Sequence, residues 1–150
     1  MSFKRPAMIE TLLVVDDQPA ELARLVALLH DGGYRVLAAT DGEAALGLAT
    51  RWPPPDLALI DADMPGLDGF ELLNRLHDDP STEAVPVMIF TAAGDRAGES
   101  RALALGAVEC LGKAMPTPAL LMRVRRQLDA AVGRRVPERQ TPEQLATAVA

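Results

Sequence analysis

Five polar residues stand where short apolar runs end, and together they could carry out phosphate chemistry. Asp16 and Asp17 follow the first run, Asp61 ends the third, and Thr91 and Lys113 lie at the ends of the last two. Three carboxylates that met in one place would repel one another and raise one another's pKa unless a cation offset them. Oxygen ligands favour a hard divalent ion with open positions for phosphoryl oxygens. The residues therefore predict a Mg²⁺ site, with Mn²⁺ as a substitute.

The other two side chains suit a group attached to a carboxylate. Lys113 would place a positive charge, and Thr91 a hydrogen-bond donor, beside the oxygens of a phosphoryl group carried by Asp61. Transfer of a phosphoryl group to a carboxylate needs mainly positioning and charge neutralisation. Asp61 is the predicted nucleophile.

The elements before these residues must bring them together. Apolar runs cover residues 11–15, 35–39, 57–61, 85–91 and, more weakly, 108–112, and segments of helical periodicity separate them. Near-continuous apolar runs are typical of strands buried on both faces, as in a parallel sheet between helices. We predict an α/β fold: a doubly wound sheet of five parallel strands with helices on both faces. In such sheets functional residues gather beyond the carboxyl ends of the strands.

Composition shifts divide the chain into three parts. Residues 1–9 form an N-terminal extension, residues 10–132 the folded domain, and residues 133–150 a polar linker with the start of an extra C-terminal helix. That helix is predicted from the sequence TPEQ at 141–144, which carries a capping box and a proline at the first helical position. The last segment fits either a free-standing protein with an additional helix or the beginning of an output domain.

Charge and hydropathy exclude several classes of protein. A net charge of −6 disfavours direct nucleic-acid binding by this segment. No apolar run approaches the ~20 residues that cross a bilayer, and the first ten residues lack the apolar stretch of a secretory signal. The single cysteine, Cys110, cannot form an internal disulfide. These features predict a cytoplasmic protein that does not bind a membrane.

One segment has a specific resemblance. The sequence LALIDADMPGLDG at 57–69 resembles the signature around the phosphorylated aspartate in response-regulator receiver domains of bacterial two-component signalling systems. The pair Asp16-Asp17, the pair Thr91-Ala92, and Lys113 stand at the separations that this family shows. The resemblance covers residues 10–132.

This resemblance implies a flavodoxin-like (βα)5 fold and a phosphoacceptor role for Asp61. The phosphoryl donor would be a sensor histidine kinase or a histidine phosphotransfer protein. Asp17 and Asp61 would ligate Mg²⁺ by their side chains, Asp16 mostly through a water molecule, and Asp63 through its backbone carbonyl.

The resemblance also implies how a signal would leave the domain. Lys113 would pair with the carboxylate or the phosphoryl group, and Thr91 would move toward the phosphoryl group. The altered surface would then change contacts with a downstream output domain or protein, or with a second copy in a homodimer. Such a chain is a regulator and not an enzyme, because it catalyses only its own phosphorylation and dephosphorylation.

The sequence departs from the family at two positions near the lysine. Cys110 stands where the family usually has an aromatic residue that swings inward when the threonine moves. Ala114 stands where a proline commonly follows the lysine. Both differences concern the output step, and the five chemical residues are unchanged.

Two other functions remain open. A phosphatase of the haloacid-dehalogenase type also uses a strand-end aspartate with a second aspartate two positions on, as Asp61 and Asp63 are spaced. That family, however, normally places the pair on its first strand and carries a larger core. A pseudo-receiver that binds partners without phosphorylation is the other alternative, and Cys110 and Ala114 keep it open.

Overall fold

A computed structural model of the protein describes residues 9–51 and 53–139, and the side chains among them as far as residue 132. Within these residues five strands alternate with five helices. The strands are β1 (Thr11–Val15), β2 (Arg35–Ala39), β3 (Leu57–Asp61), β4 (Val87–Thr91) and β5 (Glu109–Gly112). The helices are α1 (Pro19–Asp31), α2 (Gly42–Ala49), α3 (Gly69–Asp78), α4 (Arg96–Ala104) and α5 (Thr117–Arg139).

The strands form one parallel sheet in the order β2-β1-β3-β4-β5. Strands β3 and β4 are buried along their whole length, as their uninterrupted apolar sequences predict. Helices α1 and α5 pack on one face of the sheet, and α2, α3 and α4 pack on the other. The predicted doubly wound (βα)5 fold is confirmed.

Aspartates fix where three of the helices begin. The side chains of Asp41, Asp68 and Asp95 accept hydrogen bonds from backbone N–H groups in the first turns of α2, α3 and α4. Each satisfies a donor that has no partner within its helix. Helix α1 instead begins with Pro19, whose missing N–H costs nothing at the first helical position.

Several boundaries differ from the sequence-based expectation. Strand β4 begins at Val87 rather than at residue 85, because Pro86 has no N–H to donate to a neighbouring strand. Strand β5 begins one residue later than expected, at Glu109. Helix α5 continues to Arg139, through the start of the predicted linker. The helix predicted from residues 141–144 lies outside the described residues, and the division into three parts stays a prediction.

Among the residues that the structure describes, no helix is both long enough and apolar enough to cross a membrane.

Candidate functional site

Asp61 occupies the last position of the central strand and is almost completely enclosed. Strand β3 lies between β1 and β4, and only 1% of Asp61 is exposed to solvent. The Lys113 ammonium lies 2.9 Å from its Oδ1 and 3.1 Å from its Oδ2. The backbone N–H of Asp63 also donates to Oδ1, at 3.1 Å. Both oxygens of this carboxylate therefore face positively polarised groups.

Strand β1 brings two more carboxylates to the same edge of the sheet. One carboxylate oxygen from each of Asp16, Asp17 and Asp61 lies within 4.8 Å of the other two. Asp16 is 5% exposed, and its Oδ1 accepts the backbone N–H of Gln18 at 2.9 Å, which orients the side chain. The three carboxylates predicted at the metal site thus lie together.

The charges in this cluster are poorly balanced within the described residues. Burial raises the pKa of Asp61 above its ordinary value, although the hydrogen bond from Lys113 opposes the shift. Burial also raises the pKa of Asp16, and the charge of Asp17 adds to the effect. Burial alone would lower the pKa of Lys113, but its hydrogen bond to Asp61 and the surrounding carboxylates raise it. One ammonium faces three carboxylates, which leaves an excess of negative charge.

The donor set fits a small hard cation. In a Mg²⁺ site each oxygen lies ~2.1 Å from the ion, so oxygens on opposite sides stand about 4.2 Å apart. The oxygens of Asp16, Asp17 and Asp61 all lie within 4.8 Å of one another, close enough to share one ion, and a divalent ion would offset the excess charge. Asp63 is exposed, and it is its N–H that contacts Asp61. The metal-binding role of its carbonyl stays a prediction.

A tight loop joins Asp61 to α3, and it depends on two glycines. Gly66 has φ +74°, in the left-handed region that favours glycine. Gly69 donates its N–H to the carbonyl of Ala62 at 3.0 Å. A Cβ atom on Gly69 would lie 2.3 Å from the carbonyl oxygen of Asp61, so no side chain fits there. The close approach of the two backbones at this turn is therefore possible only with glycine at position 69.

Thr91 and Lys113 approach from the other side of Asp61. Lys113 and Ala114 are the central residues of a turn closed by a hydrogen bond from the Met115 N–H to the Gly112 carbonyl, at 3.1 Å. With alanine in place of the family's proline, this turn still directs the Lys113 ammonium to Asp61. The Lys113 N–H also donates to the Thr91 carbonyl at 3.2 Å, which links the two residues.

Sequence reasoning missed the partner of the Thr91 hydroxyl. Thr91 is 5% exposed, and its Oγ1 lies 3.4 Å from Sγ of Cys110 in a hydrogen bond. Either atom can be the donor. The usable signal was the alternation of strand side chains, which places Cys110 on the same side of the sheet as Thr91 once β4 and β5 pair.

Comparison with known families places this geometry in context. The family described as response regulator receiver domain matches residues 12–125. The chain is 36% identical to the protein PilH of Pseudomonas aeruginosa over 113 residues, which are 75% of this chain and 93% of PilH. It is 41% identical to the response regulator PleD of Caulobacter vibrioides over 114 residues, 76% of this chain. Because that match covers 25% of PleD, the chain spans a small part of this relative.

Solved structures show the same arrangement of strands and helices. A response regulator receiver domain protein from Clostridium thermocellum superposes with a TM-score of 0.74 at 27% identity, covering 85% of this chain and 97% of that one. The chemotaxis protein CheY4 of Vibrio cholerae gives a TM-score of 0.74 at 27% identity, covering 79% of this chain and 98% of that one.

Proposed function

Because this chain belongs to the family of response regulator receiver domains of two-component signalling, we propose that it accepts a phosphoryl group on Asp61 in a Mg²⁺-dependent step. The donor is a sensor histidine kinase or a histidine phosphotransfer protein. The observation that carries the proposal is the double contact of Lys113 with a buried Asp61 beside two further carboxylates.

The proposed reaction moves one phosphoryl group between two proteins. A carboxylate oxygen of Asp61 attacks phosphorus as the P–N bond to the donor imidazole breaks. An acyl phosphate forms, and the imidazole nitrogen takes up a proton from solvent. Positioning and charge neutralisation are the main requirements of such a transfer, and the Lys113 ammonium at 2.9 Å meets part of the second.

Asp16, Asp17 and Asp61, with the carbonyl of Asp63, would hold the Mg²⁺ or Mn²⁺ ion. When bound, the ion neutralises charge on the transferring oxygens and orients them. The three side chains of this set converge within 4.8 Å, which supports the assignment. Asp16 and Asp17 act only as ligands in this proposal, directly or through water, and do not take the phosphoryl group.

After transfer, Lys113 pairs with the phosphoryl oxygens and Thr91 donates its hydroxyl to them. The change at Thr91 reaches the surface through β5 and α4, where an output domain, a downstream protein or a second copy of the chain would bind. Among relatives, matching segments occur in a transcriptional regulatory protein, PhoB of Rhizobium meliloti, and in a probable cyclic di-GMP phosphodiesterase of Vibrio cholerae. These names support a signalling role upstream of varied outputs.

Intact-mass measurement tests the proposal directly. The protein is incubated with acetyl phosphate, with Mg²⁺ or with excess chelator. We expect one labile phosphoryl adduct that requires the ion and is absent in Asp61→Asn. Asp78→Asn, an exposed position at the other end of α3, is the matched acid-to-amide control and should be phosphorylated normally.

The alternatives give different results in the same experiment. Steady hydrolysis of phosphate esters without an accumulating adduct would indicate the haloacid-dehalogenase type of phosphatase. Absence of both adduct and turnover, with the ion present, would indicate a pseudo-receiver.

A further inference from the structure

The pairing of Thr91 with Cys110 points to a second level of control at the same site, and the inference rests on the proposed function. We propose that Cys110 is a positioning residue that holds the Thr91 hydroxyl in the unphosphorylated protein. The weakness of this hydrogen bond then helps to set the stability of the phosphorylated state of Asp61. The observation is the 3.4 Å contact between Thr91 Oγ1 and Cys110 Sγ.

The sheet register places Thr91 between two possible partners. Cys110 pairs with Ile89 across β4 and β5, two residues before Thr91 and on the same face of the sheet. On the other side, β4 pairs with β3, where Asp61 lies beside Phe90. Rotation of Thr91 about its Cα–Cβ bond changes which neighbour the hydroxyl faces. In this proposal the hydroxyl gives up its contact with the thiol when it turns to a group on Asp61.

Burial makes this choice matter energetically. The hydroxyl of a buried threonine needs a hydrogen-bond partner, and in the resting protein the thiol supplies it. Sulfur is a weak donor and a weak acceptor, so the contact is easier to give up than one between two hydroxyls. Burial and the nearby carboxylates of Glu99 and Asp95 raise the pKa of Cys110, which keeps the thiol neutral. The resting state is therefore favoured only slightly.

Two substitutions at Cys110 separate this role from simple packing. Cys110→Ala removes the partner of the resting hydroxyl and should favour the state in which Thr91 faces Asp61. Cys110→Ser is similar in size and keeps a partner. Beryllium trifluoride serves as the phosphoryl analogue, with Mg²⁺ present. We expect Cys110→Ala to lower the dissociation constant of beryllium trifluoride about two- to fivefold. Cys110→Ser should leave this dissociation constant at the wild-type value or raise it. The measurement is isothermal titration calorimetry on the full chain.

A double-mutant cycle tests the resting contact itself. Urea unfolding of Thr91→Val, Cys110→Ala and the double variant, without ligand, should show non-additive effects, because both single changes remove the same hydrogen bond. Additive effects would overturn the proposal. So would equal shifts in the dissociation constant for Ala and Ser, or no shift for Ala.

The failure of the proposed function gives a different result. In that case the wild-type protein binds no beryllium trifluoride and forms no adduct with acetyl phosphate, and the inference about Cys110 fails with it. Wild-type binding with unchanged Cys110 variants removes the inference alone.

Discussion

Helices α3 and α4 follow neighbouring strands, yet they are attached to the sheet very differently. Helix α3 buries Phe70, Leu72, Leu73 and Leu76. Helix α4 buries only Gly98 and Ala102 among its residues and leaves Leu103 49% exposed. Area removed from water is the main source of stability, so α3 is held far more firmly than α4.

This difference matches the two halves of the candidate site. The loop from Asp61 runs directly into α3, so the anchoring of α3 helps to hold the proposed phosphoacceptor in place. Thr91 and Cys110 lie on the two strands that contact α4, and few buried side chains hold that helix in place. From this comparison we expect that, in the proposed function, the firmly anchored region carries the chemistry and the loosely held one responds to it.

The sharpest test substitutes one glycine in each helix. Gly69→Ala would press its Cβ against backbone at 2.3 Å, where nothing can move aside. We expect it to lower the free energy of unfolding by about 4 kcal/mol or more, measured by urea unfolding. Gly98→Ala would meet only the Asp95 side chain, at 2.4 Å. In Gly98→Ala the loss of the helix cap costs ~1 kcal/mol, and the better helix propensity of alanine restores ~1 kcal/mol. We therefore expect little change in the free energy of unfolding of this variant. Equal losses in the two variants would contradict the comparison.

A leucine in each helix measures the difference in packing. Leu73 is completely buried, so Leu73→Ala should cost about 3 kcal/mol of unfolding free energy through lost burial and a cavity. Leu103→Ala, at a half-exposed position of α4, should change stability by ~0.5 kcal/mol or less. A cost at Leu103 comparable to that at Leu73 would mean that α4 is anchored by contacts other than its buried residues.

The rigid region should also respond to a cation. Burial raises the pKa of Asp16 in the folded protein above its unfolded value, so loss of its proton costs stability as pH rises through these values. At neutral pH and without metal, Asp16→Asn removes this cost and should stabilise the fold by on the order of 1 kcal/mol. Asparagine can still accept the Gln18 N–H that Asp16 accepts.

Added Mg²⁺ should stabilise the wild-type protein more than it stabilises Asp16→Asn. It should raise the urea midpoint of the wild-type protein more than that of Asp16→Asn, because the variant lacks one acidic group of the cluster. Asp41→Asn, the cap of α2, is the matched control and should keep the full response to Mg²⁺. An equal response in Asp16→Asn would remove Asp16 from the predicted ligand set.

The sequence predicts the strands and the acidic cluster well, and the Thr91–Cys110 contact poorly. Strands β1, β2 and β3 begin and end at the predicted residues, and the acidic residues converge because parallel strands end at one edge. These features follow from local apolar runs and from topology. Strand alternation puts Cys110 on the same side of the sheet as Thr91, but the hydrogen bond itself depends on the rotamers of both side chains, which the sequence pattern does not give.

Short helices with few large apolar residues were harder to orient. In α2 the sequence pattern places Ala44, Ala45 and Leu48 inward, but Ala44 is exposed, and Gly42, Ala45 and Ala49 form the buried stripe. Small residues differ little in hydrophobicity, so the sequence pattern hardly distinguishes orientations of α2 that differ by one residue. Packing of α2 against α3 decides between them. In α4 the single leucine, Leu103, is 49% exposed, and Gly98 and Ala102 form the buried side.

A cation–π contact joins the two helices and gives the finest test of the comparison. The Arg101 guanidinium of α4 lies over the ring of Phe70 in α3, 4.3 Å from its centroid. Arg101 is exposed, so its removal should cost only ~0.5 kcal/mol of global stability. Because α4 has little else to hold it, Arg101→Ala should speed hydrogen exchange of α4 amides while leaving α3 amides unchanged.

The control for this prediction removes the ring and keeps an apolar side chain at position 70. In Phe70→Leu, Arg101→Ala should have no further effect on exchange in α4, since the face that attracts the cation is gone. Faster exchange in both helices after Arg101→Ala would mean that α3 depends on α4 and that the two halves of the site move as one. Faster exchange confined to α4 would identify α4 as the flexible element beside Thr91. In the proposed function, a small movement of the Thr91 hydroxyl toward Asp61 would then be enough to shift this helix.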